Sequence, residues 1–331
     1  ATDVAAELEK IVFDAIIKNR KIRYDANGQD YTYSRKLDDR LHGREYELAI
    51  HVVSPFHENA GNGDLASMHS MGKDELLVLM APNDRLVRDI LMLKKTEKYI
   101  RQTVSITQQE SIKRILSEKS LQNRERAIDL QKCVYSSLAK ARLFVAGSEI
   151  DIPGEDAQIR ICKGFYELIT RVYPNLTMLR GITYTENDIA TCLKQAQDGL
   201  FANDAPVIAE SEQELLAYIQ NNSRTGMRTT LKNCIERFER KPYGWYYPAI
   251  LCTVAKLCAR GKVEVRQDSN LLEGGDLERA LKNSYGHADS IIDPQVDFTP
   301  AQIRGLKEFF EDFFDIPPKS SEAKALGKET V

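Results

Sequence analysis

The chain has 331 residues, of which 42% are hydrophobic and 29% charged, with a net charge of −3, as in ordinary globular proteins of two or three domains. No apolar run approaches the roughly 18–20 residues of a membrane span, so we expect a cytoplasmic protein without membrane contact. The six cysteines are scattered and form no C-x-x-C pair, which indicates buried free thiols and argues against a disulfide framework.

Residues 1–84 are expected to form a helix followed by a small antiparallel sheet. Asn27-Gly28 separates two short alternating segments, and this dipeptide favours a tight hairpin turn. Further strands are predicted over 45–53 and 75–80. The segment 57–72 between them is rich in Gly, Asn and Ser and is predicted to be a loop.

Residues 85–222 are expected to form a helical domain that opens with a long helical hairpin. Asp84 is a plausible N-cap for the first helix. The stretch 85–142 carries fourteen Lys or Arg and six Asp or Glu, a balance of +8. Helices with this many charged residues more often form a solvent-exposed surface than a nucleic-acid contact. A β-hairpin is predicted near 143–152.

Residues 223–316 are predicted to form a winged-helix-like domain with a C-terminal helix, followed by a flexible tail over 317–331. The order is helix, tight turn at 241–248, helix, strand and turn. Residues 224–266 carry ten Lys or Arg and three Asp or Glu, a local balance of +7. The positive charge indicates a polyanion or an acidic partner.

The basic side chains of this domain are the candidate nucleic-acid or partner-binding residues. They are Arg237, Arg240, Lys241, Lys256, Arg260, Lys262 and Arg266. Phosphate contacts from such residues give salt-dependent affinity with little sequence specificity. Tyr243 and Trp245 could stack on bases. Because Pro242 and Pro248 bracket these rings, we expect them to pack inside the fold instead.

No nucleotide-binding or hydrolytic signature is found. A Walker A loop is absent, since Gly72-Lys73 is followed by Asp74 and position 67 is Ser. The G-x-S-x-G, H-E-x-x-H and Rossmann patterns are absent as well. We therefore expect no catalytic residue and no cofactor in this chain.

A metal site is also not expected. His51, His57 and Glu58 could be drawn together as ligands, but their spacing matches no familiar site, and ordinary strand or surface histidines are favoured. Asp38 and Asp39 are adjacent carboxylates, for which a turn or cap role is expected.

Five segments carry a family resemblance. They are Tyr31–Asp39, Leu76–Asp84, Lys95–Arg101, Leu176–Tyr184 and Lys241–Trp245. In these segments the chain resembles the central part of the large P-loop proteins of bacterial phage defence, the BrxC/PglY type of bacteriophage exclusion (BREX) and phage growth limitation. The chain begins inside an amphipathic helix and ends in a polar tail, so we expect it to be a segment of a longer protein.

The resemblance implies a parent protein with an AAA+-like ATPase domain that uses ATP and Mg²⁺. It also implies an assembly, with a methyltransferase and other components, that distinguishes and blocks phage DNA. Because the chain lacks Walker motifs, hydrolysis cannot be assigned to it. An arginine finger for a neighbouring subunit is conceivable at Arg85 or Arg88, but nothing in the sequence selects either.

The sequence therefore predicts an α+β protein, mostly α-helical, with a small N-terminal antiparallel sheet, a long helical hairpin and a winged-helix-like domain. The leading hypothesis is a non-catalytic scaffold that docks DNA or a partner within a phage-defence ATPase. The alternative is a purely protein-interaction or oligomerisation module without nucleic-acid contact. Candidate partners are DNA, other phage-defence proteins and further copies of the chain.

Overall fold

The computed structural model describes residues 2–198, 208–295, 300–315 and 317, which form two compact units, 1–172 and 173–331. The boundary at 172/173 does not coincide with those predicted at 84/85 and 222/223. The reason is strand pairing, because a strand before residue 84 pairs with one after residue 140. The predicted tail 317–331 lies outside the described residues except for Pro317.

The first unit contains five helices and eight strands among its described residues. In chain order they are α1 (Thr2–Lys10), which continues into a π-helical turn (Ile11–Ile16), β1 (Lys21–Tyr24), β2 (Gln29–Thr32), β3 (Ser34–Leu37), β4 (Arg40–His42), β5 (Ala49–Val53), α2 (Gly63–Ser70), β6 (Glu75–Leu79), α3 (Asp84–Val104), α4 (Glu110–Ala139), β7 (Arg142–Val145), β8 (Ser148–Ile150) and α5 (Ala157–Val172).

Six of the strands form one sheet in the order β4-β3-β5-β6-β7-β8. Strands β3, β5 and β6 run parallel, and the outer pairs are antiparallel. Strands β5 and β6 are buried along their whole length, as expected for parallel strands covered on both faces. Their sequences are apolar apart from two residues, His51 and Glu75.

Helices cover both faces of this sheet. On one face, Ala66 of α2 joins an apolar cluster with Val53, Leu77, Leu79 and Phe144. On the other face, α5 comes very close to β6 and β7. A Cβ built on Gly164 would lie 3.0 Å from Leu76 Cδ1, so a side chain at this position would separate the layers.

The predicted fold class is confirmed: the protein is α+β and mostly helical, with a long hairpin formed by α3 and α4. The N-terminal sheet is larger than predicted and parallel at its centre. It also incorporates the hairpin near 143–152, because β7 pairs with β6. A hydrophobic pattern marks strands but does not encode which strand lies beside which.

Two local predictions need correction. The segment 57–72 contains helix α2, for which Asn62 is the N-cap and accepts the Leu65 N–H. Helix α3 is capped by Asn83 and not by Asp84, since the Asn83 side chain accepts the Leu86 N–H at 3.0 Å.

The second unit is helical with a four-stranded antiparallel sheet in the order β11-β10-β12-β9. A 3₁₀ helix (Pro174–Leu179) comes first. The elements that follow are α6 (Asp188–Asp198), α7 (Glu210–Arg224), β9 (Thr229–Thr230), α8 (Leu231–Phe238), α9 (Tyr247–Ala259), β10 (Val263–Gln267), β11 (Asn270–Leu271), α10 (Gly274–Lys282), β12 (Ile291–Pro294) and α11 (Pro300–Phe314). None of the helices described in either unit combines the length and apolar character needed to cross a bilayer.

The Gly164→Val substitution should destabilise the first unit by about 1–3 kcal/mol, because the added branches overlap Leu76 and Leu143. Hydrogen exchange of the β5 and β6 amides measures the effect. Glu167→Val, at an exposed position of the same helix, is the control and should cost only its lower helix propensity. Equal losses of protection in the two variants would contradict the close packing of α5.

Candidate nucleic-acid interface

Helix α8 has well-defined ends, which fixes the basic residues near it. At its start, the Thr230 side chain accepts the Asn233 N–H while the Asn233 side chain accepts the Thr230 N–H, a reciprocal capping box. At its end, Phe238 accepts the Trp245 N–H at 2.8 Å. The turn that follows α8 is thereby held against the helix.

The aromatic residues of this turn pack inside the fold, as predicted. The Trp245 side chain is 1% exposed, its ring stacks on Phe238 at 4.7 Å, and its Nε1–H donates to the Asn175 carbonyl oxygen at 2.9 Å. Tyr243 donates its hydroxyl to Glu214 at 2.6 Å. Burial, and then the hydrogen bond to Glu214, raise the pKa of Tyr243 above its ordinary value. Neither ring is available for stacking on bases.

Three of the seven candidate cations are exposed together at the end of α8. Arg237 lies in the last turn of α8, and Arg240 and Lys241 follow in the segment directly after the helix. The Arg237 guanidinium lies over the outer face of the Tyr243 ring, 5.3 Å from its centroid. We call these three residues the α8 basic patch.

The other four candidates are held closer to the protein. Lys256 donates to the Tyr184 hydroxyl at 2.8 Å, and Lys262 is half-buried just before β10. The last two candidates form ion pairs, Arg260 with the buried Glu212 at 2.9 Å and Arg266 with Glu264 and Asp293. These side chains have partners within the fold, so they contribute less to an external surface than their number indicates.

Helix α9 occupies the position of the recognition helix in a helix-turn-helix, yet none of its residues is exposed. Helices α6, α7 and α8 pack around it. In DNA-binding helix-turn-helix proteins this second helix enters the major groove. Here α9 has no exposed residue to present to a groove.

The wing also differs from a basic DNA-contacting loop. Strands β10 and β11 are joined by Asp268 and Ser269, both at positive φ, 48° and 66°, as a tight two-residue hairpin requires. The turn therefore carries a carboxylate at its tip. Because Arg266 pairs with Glu264, the hairpin presents little net positive charge.

The first unit contains a polar cluster that sequence reasoning did not assemble. His51, His57 and His69 surround Asp39, and the buried Glu75 lies behind them. Glu58, which the sequence analysis grouped with His51 and His57, is not among these contacts. The sequence did contain an indication of this cluster, since His51 and Glu75 interrupt two otherwise apolar strands.

Glu75 is ionised in this cluster. Burial alone would raise its pKa, but the hydrogen bond from His51 and the positive charges of Lys36 and Lys73 lower it to about 2. Lys36 contributes an ion pair at 3.2 Å. The carboxylate is thus a fixed acceptor for the neighbouring imidazole.

The two arginines considered as an arginine finger, Arg85 and Arg88, are both exposed on the first turns of α3. Arg85 pairs with Asp89 at 3.5 Å. The geometry selects neither residue for such a role.

The two units correspond to two known protein domains. Residues 1–168 match the family described as "BREX ATP-binding protein BrxC 4th domain with six-stranded beta sheet". Residues 175–285 match the "BREX ATP-binding protein BrxC winged helix-turn-helix domain". The fold is thus that of two successive domains of an ATP-binding protein of phage defence. The chain belongs to the BrxC family of BREX proteins. No solved structure matches it.

Substituting Arg260 by Met should destabilise the winged-helix unit by about 2–3 kcal/mol, because the Glu212 carboxylate, 3% exposed, loses its ion-pair partner. The value is set below that of a fully buried pair because Arg260 is itself 23% exposed. Urea unfolding followed by the emission of Trp245, the single tryptophan, measures the change.

Arg266→Met is the matched control. Arg266 is 45% exposed and its pair with Glu264 is solvated, so its loss should cost much less than the loss of Arg260. Similar decreases in the free energy of unfolding of the two variants would contradict a larger contribution from the Arg260–Glu212 pair.

Proposed function

We propose that this chain is a non-catalytic docking segment of a cytoplasmic BREX assembly, and that its winged-helix unit binds the DNA backbone through the α8 basic patch. The observation that carries the proposal is the combination of a buried α9 with three cations exposed at the end of α8. Such a surface can neutralise phosphates, while the enclosed α9 does not present its residues to bases. Binding is therefore expected to be weak, independent of sequence and sensitive to salt.

The proposal gives this segment a place in the larger machine. The family descriptions name an ATP-binding protein, which supports our proposal that ATP and Mg²⁺ act elsewhere in the parent. Docking on DNA would keep that ATPase near its target while other BREX components decide what is blocked. Phosphate contacts suit this task, because sequence-independent binding does not compete with recognition of the DNA sequence by a partner.

A second candidate function is protein interaction or self-association without DNA. One observation favours it specifically: α11 exposes a pair of stacked rings, Phe309 at 57% and Phe313 at 70%, with centroids 5.9 Å apart. The enclosure of α9 also fits a winged helix that docks protein. In this case the α8 basic patch would meet acidic side chains of a partner.

Charge reversal of the α8 basic patch tests the leading proposal. The triple variant Arg237→Glu, Arg240→Glu, Lys241→Glu should lower duplex affinity by ~10–1,000-fold near 50 mM salt and reduce the slope of log K against log[salt] by up to about 2.7. Fluorescence anisotropy with two duplexes of unrelated sequence measures both quantities, and the two duplexes should behave alike.

The control is a charge-matched triple variant on α4, Lys113→Glu, Lys119→Glu, Lys132→Glu, at three exposed positions. It changes the net charge equally and should leave most of the affinity in place. Loss of binding in this control alone would move the contact to the α3–α4 hairpin. Undetectable binding by the unmodified chain at every salt concentration would reject the DNA proposal.

The second candidate predicts association in place of DNA binding. Sedimentation over a range of protein concentrations should then show self-association that Phe309→Ser and Phe313→Ser reduce, since each change removes exposed apolar surface. A chain that is monomeric at all concentrations and binds duplex DNA would reject self-association.

The purified chain should release no phosphate from Mg²⁺-ATP above a protein-free blank, because it has no Walker A loop to hold the phosphates. A malachite-green assay measures the release. Hydrolysis that co-elutes with the chain through two chromatographic steps would overturn the non-catalytic assignment.

A further inference from the structure

Three residues distant in sequence meet beside the parallel strands of the first unit. Asp39 belongs to the tight turn after β3, His51 to β5, and His69 to α2. One potential ligand atom from each lies within 4.8 Å of the others. The turn has a well-defined backbone conformation, in which Asp38 and Asp39 both have positive φ, 47° and 65°. This geometry aims the Asp39 carboxylate at the two imidazoles.

The two distances from the Asp39 carboxylate are close to those of a metal coordination shell. Ligand atoms about 2.0–2.1 Å from a tetrahedral ion are about 3.3 Å apart. Asp39 Oδ1 lies 3.3 Å from His69 Nε2 and 3.7 Å from His51 Nε2. An ion among the three atoms requires only small side-chain movements.

The tautomer of His51 is suited to metal binding. Its Nδ1–H donates to the buried Glu75 carboxylate at 3.2 Å, which leaves a lone pair on Nε2. That lone pair accepts the Asp39 backbone N–H at a long 3.3 Å, a contact that an ion would replace. Carboxylates placed behind a histidine in this way orient the ring and increase its basicity toward a metal.

His57 has a different role. Its Nδ1 accepts the Asn59 backbone N–H at 3.2 Å, so Nε2 carries the proton and donates to Asp39 Oδ2 at 3.1 Å. A protonated Nε2 cannot bind a metal. His57 is therefore a positioning residue that fixes the Asp39 carboxylate while its other oxygen faces His51 and His69.

Helix α2 is anchored so that His69 is held over the sheet. Ser67 donates its hydroxyl to the Gly147 carbonyl at 2.5 Å, and Ser70 accepts the Gly147 N–H at 2.9 Å. A cavity of about 20 Å³ remains among the cluster residues, which is enough for one ion or one water molecule. Asp39 is 55% exposed, so the cavity has a route to solvent.

We propose that Asp39, His51 and His69 bind one divalent transition-metal ion of the Zn²⁺ or Fe²⁺ type. Two imidazoles and a carboxylate favour such ions over Mg²⁺ and Ca²⁺, which prefer oxygen ligands throughout. Three protein ligands leave at least one position open for water. The bound ion fastens the β3–β4 turn and α2 to the central strand of the sheet.

The ammonium group of Lys73 competes with such an ion for the His69 imidazole. It lies 3.1 Å from both ring nitrogens of His69 and 3.8 Å from Glu75 Oε1. The side chain is 44% exposed and can withdraw into solvent. Lys73→Met removes this competing charge, so it should strengthen metal binding several-fold.

The test is calorimetric titration of the chelator-treated full chain with Zn²⁺. We expect one ion per chain, loss of about 100-fold or more in affinity for His51→Gln and His69→Gln, and about 10–100-fold for His57→Gln. His42→Gln is the control, because His42 stacks on Phe13 and pairs with Glu9, away from the cluster, and should bind as the unmodified chain does.

Two further measurements test the identity of the metal ligands and the folding of the variants. The spectrum of the Co²⁺ form should lack a thiolate-to-cobalt band, since no cysteine belongs to the site. Hydrogen exchange of β5 and β6 in the metal-free variants shows whether each is folded. If a ligand variant does not fold, the opposite effects of Lys73→Met and His57→Gln decide the question.

Absence of stoichiometric binding overturns the proposal. So does a thiolate band, or an affinity unchanged in His51→Gln and His69→Gln. In any of these cases the cluster is a proton-linked network of imidazoles and carboxylates only. None of these outcomes depends on whether the winged-helix unit binds DNA.

Discussion

Enclosure of α9, whose residues 249–255 and Leu257 are buried, is the constraint on which the winged-helix unit depends. This helix is apolar around its circumference, and a helix of that kind must be enclosed by other elements. Helices α6, α7 and α8 provide the enclosure. At its C-terminal end, Lys256 donates a hydrogen bond to the Tyr184 hydroxyl and Arg260 forms an ion pair with Glu212. The helix that enters the major groove in DNA-binding helix-turn-helix proteins lies in the core of this unit.

The charge of a segment and the charge of its surface are different quantities. The +7 balance of 224–266 includes Arg260 and Arg266, both paired with carboxylates, one of them, Glu212, far away in sequence. Of the other cations in the segment, Arg237, Arg240 and Lys241 are exposed where α8 ends. That position follows from the capping of α8 and from the stacking of Trp245 on Phe238, which together set the direction of the turn.

The first unit shows how a polar site arises inside an apolar sheet. Burying His51 and Glu75 in central strands is costly unless each satisfies the other. They do so directly, and the Nε2 edge of His51 is then directed toward the turn and helix that bring Asp39 and His69. The arrangement depends on the parallel pairing of β3 with β5, which places the residues after β3 beside the end of β5.

Sequence alone determined much of this protein. Periodicity predicted the main helices, the Asn27-Gly28 hairpin and the winged-helix order, and five segments indicated the BrxC family. Prolines around Tyr243 and Trp245 correctly predicted packed rings. These features are local, so a short stretch of residues is enough to specify them. Only the tertiary structure decided that β6 pairs with β7, that α9 is enclosed, and that His69 meets Asp39. Each of these depends on contacts between residues distant in the chain, which no local pattern encodes.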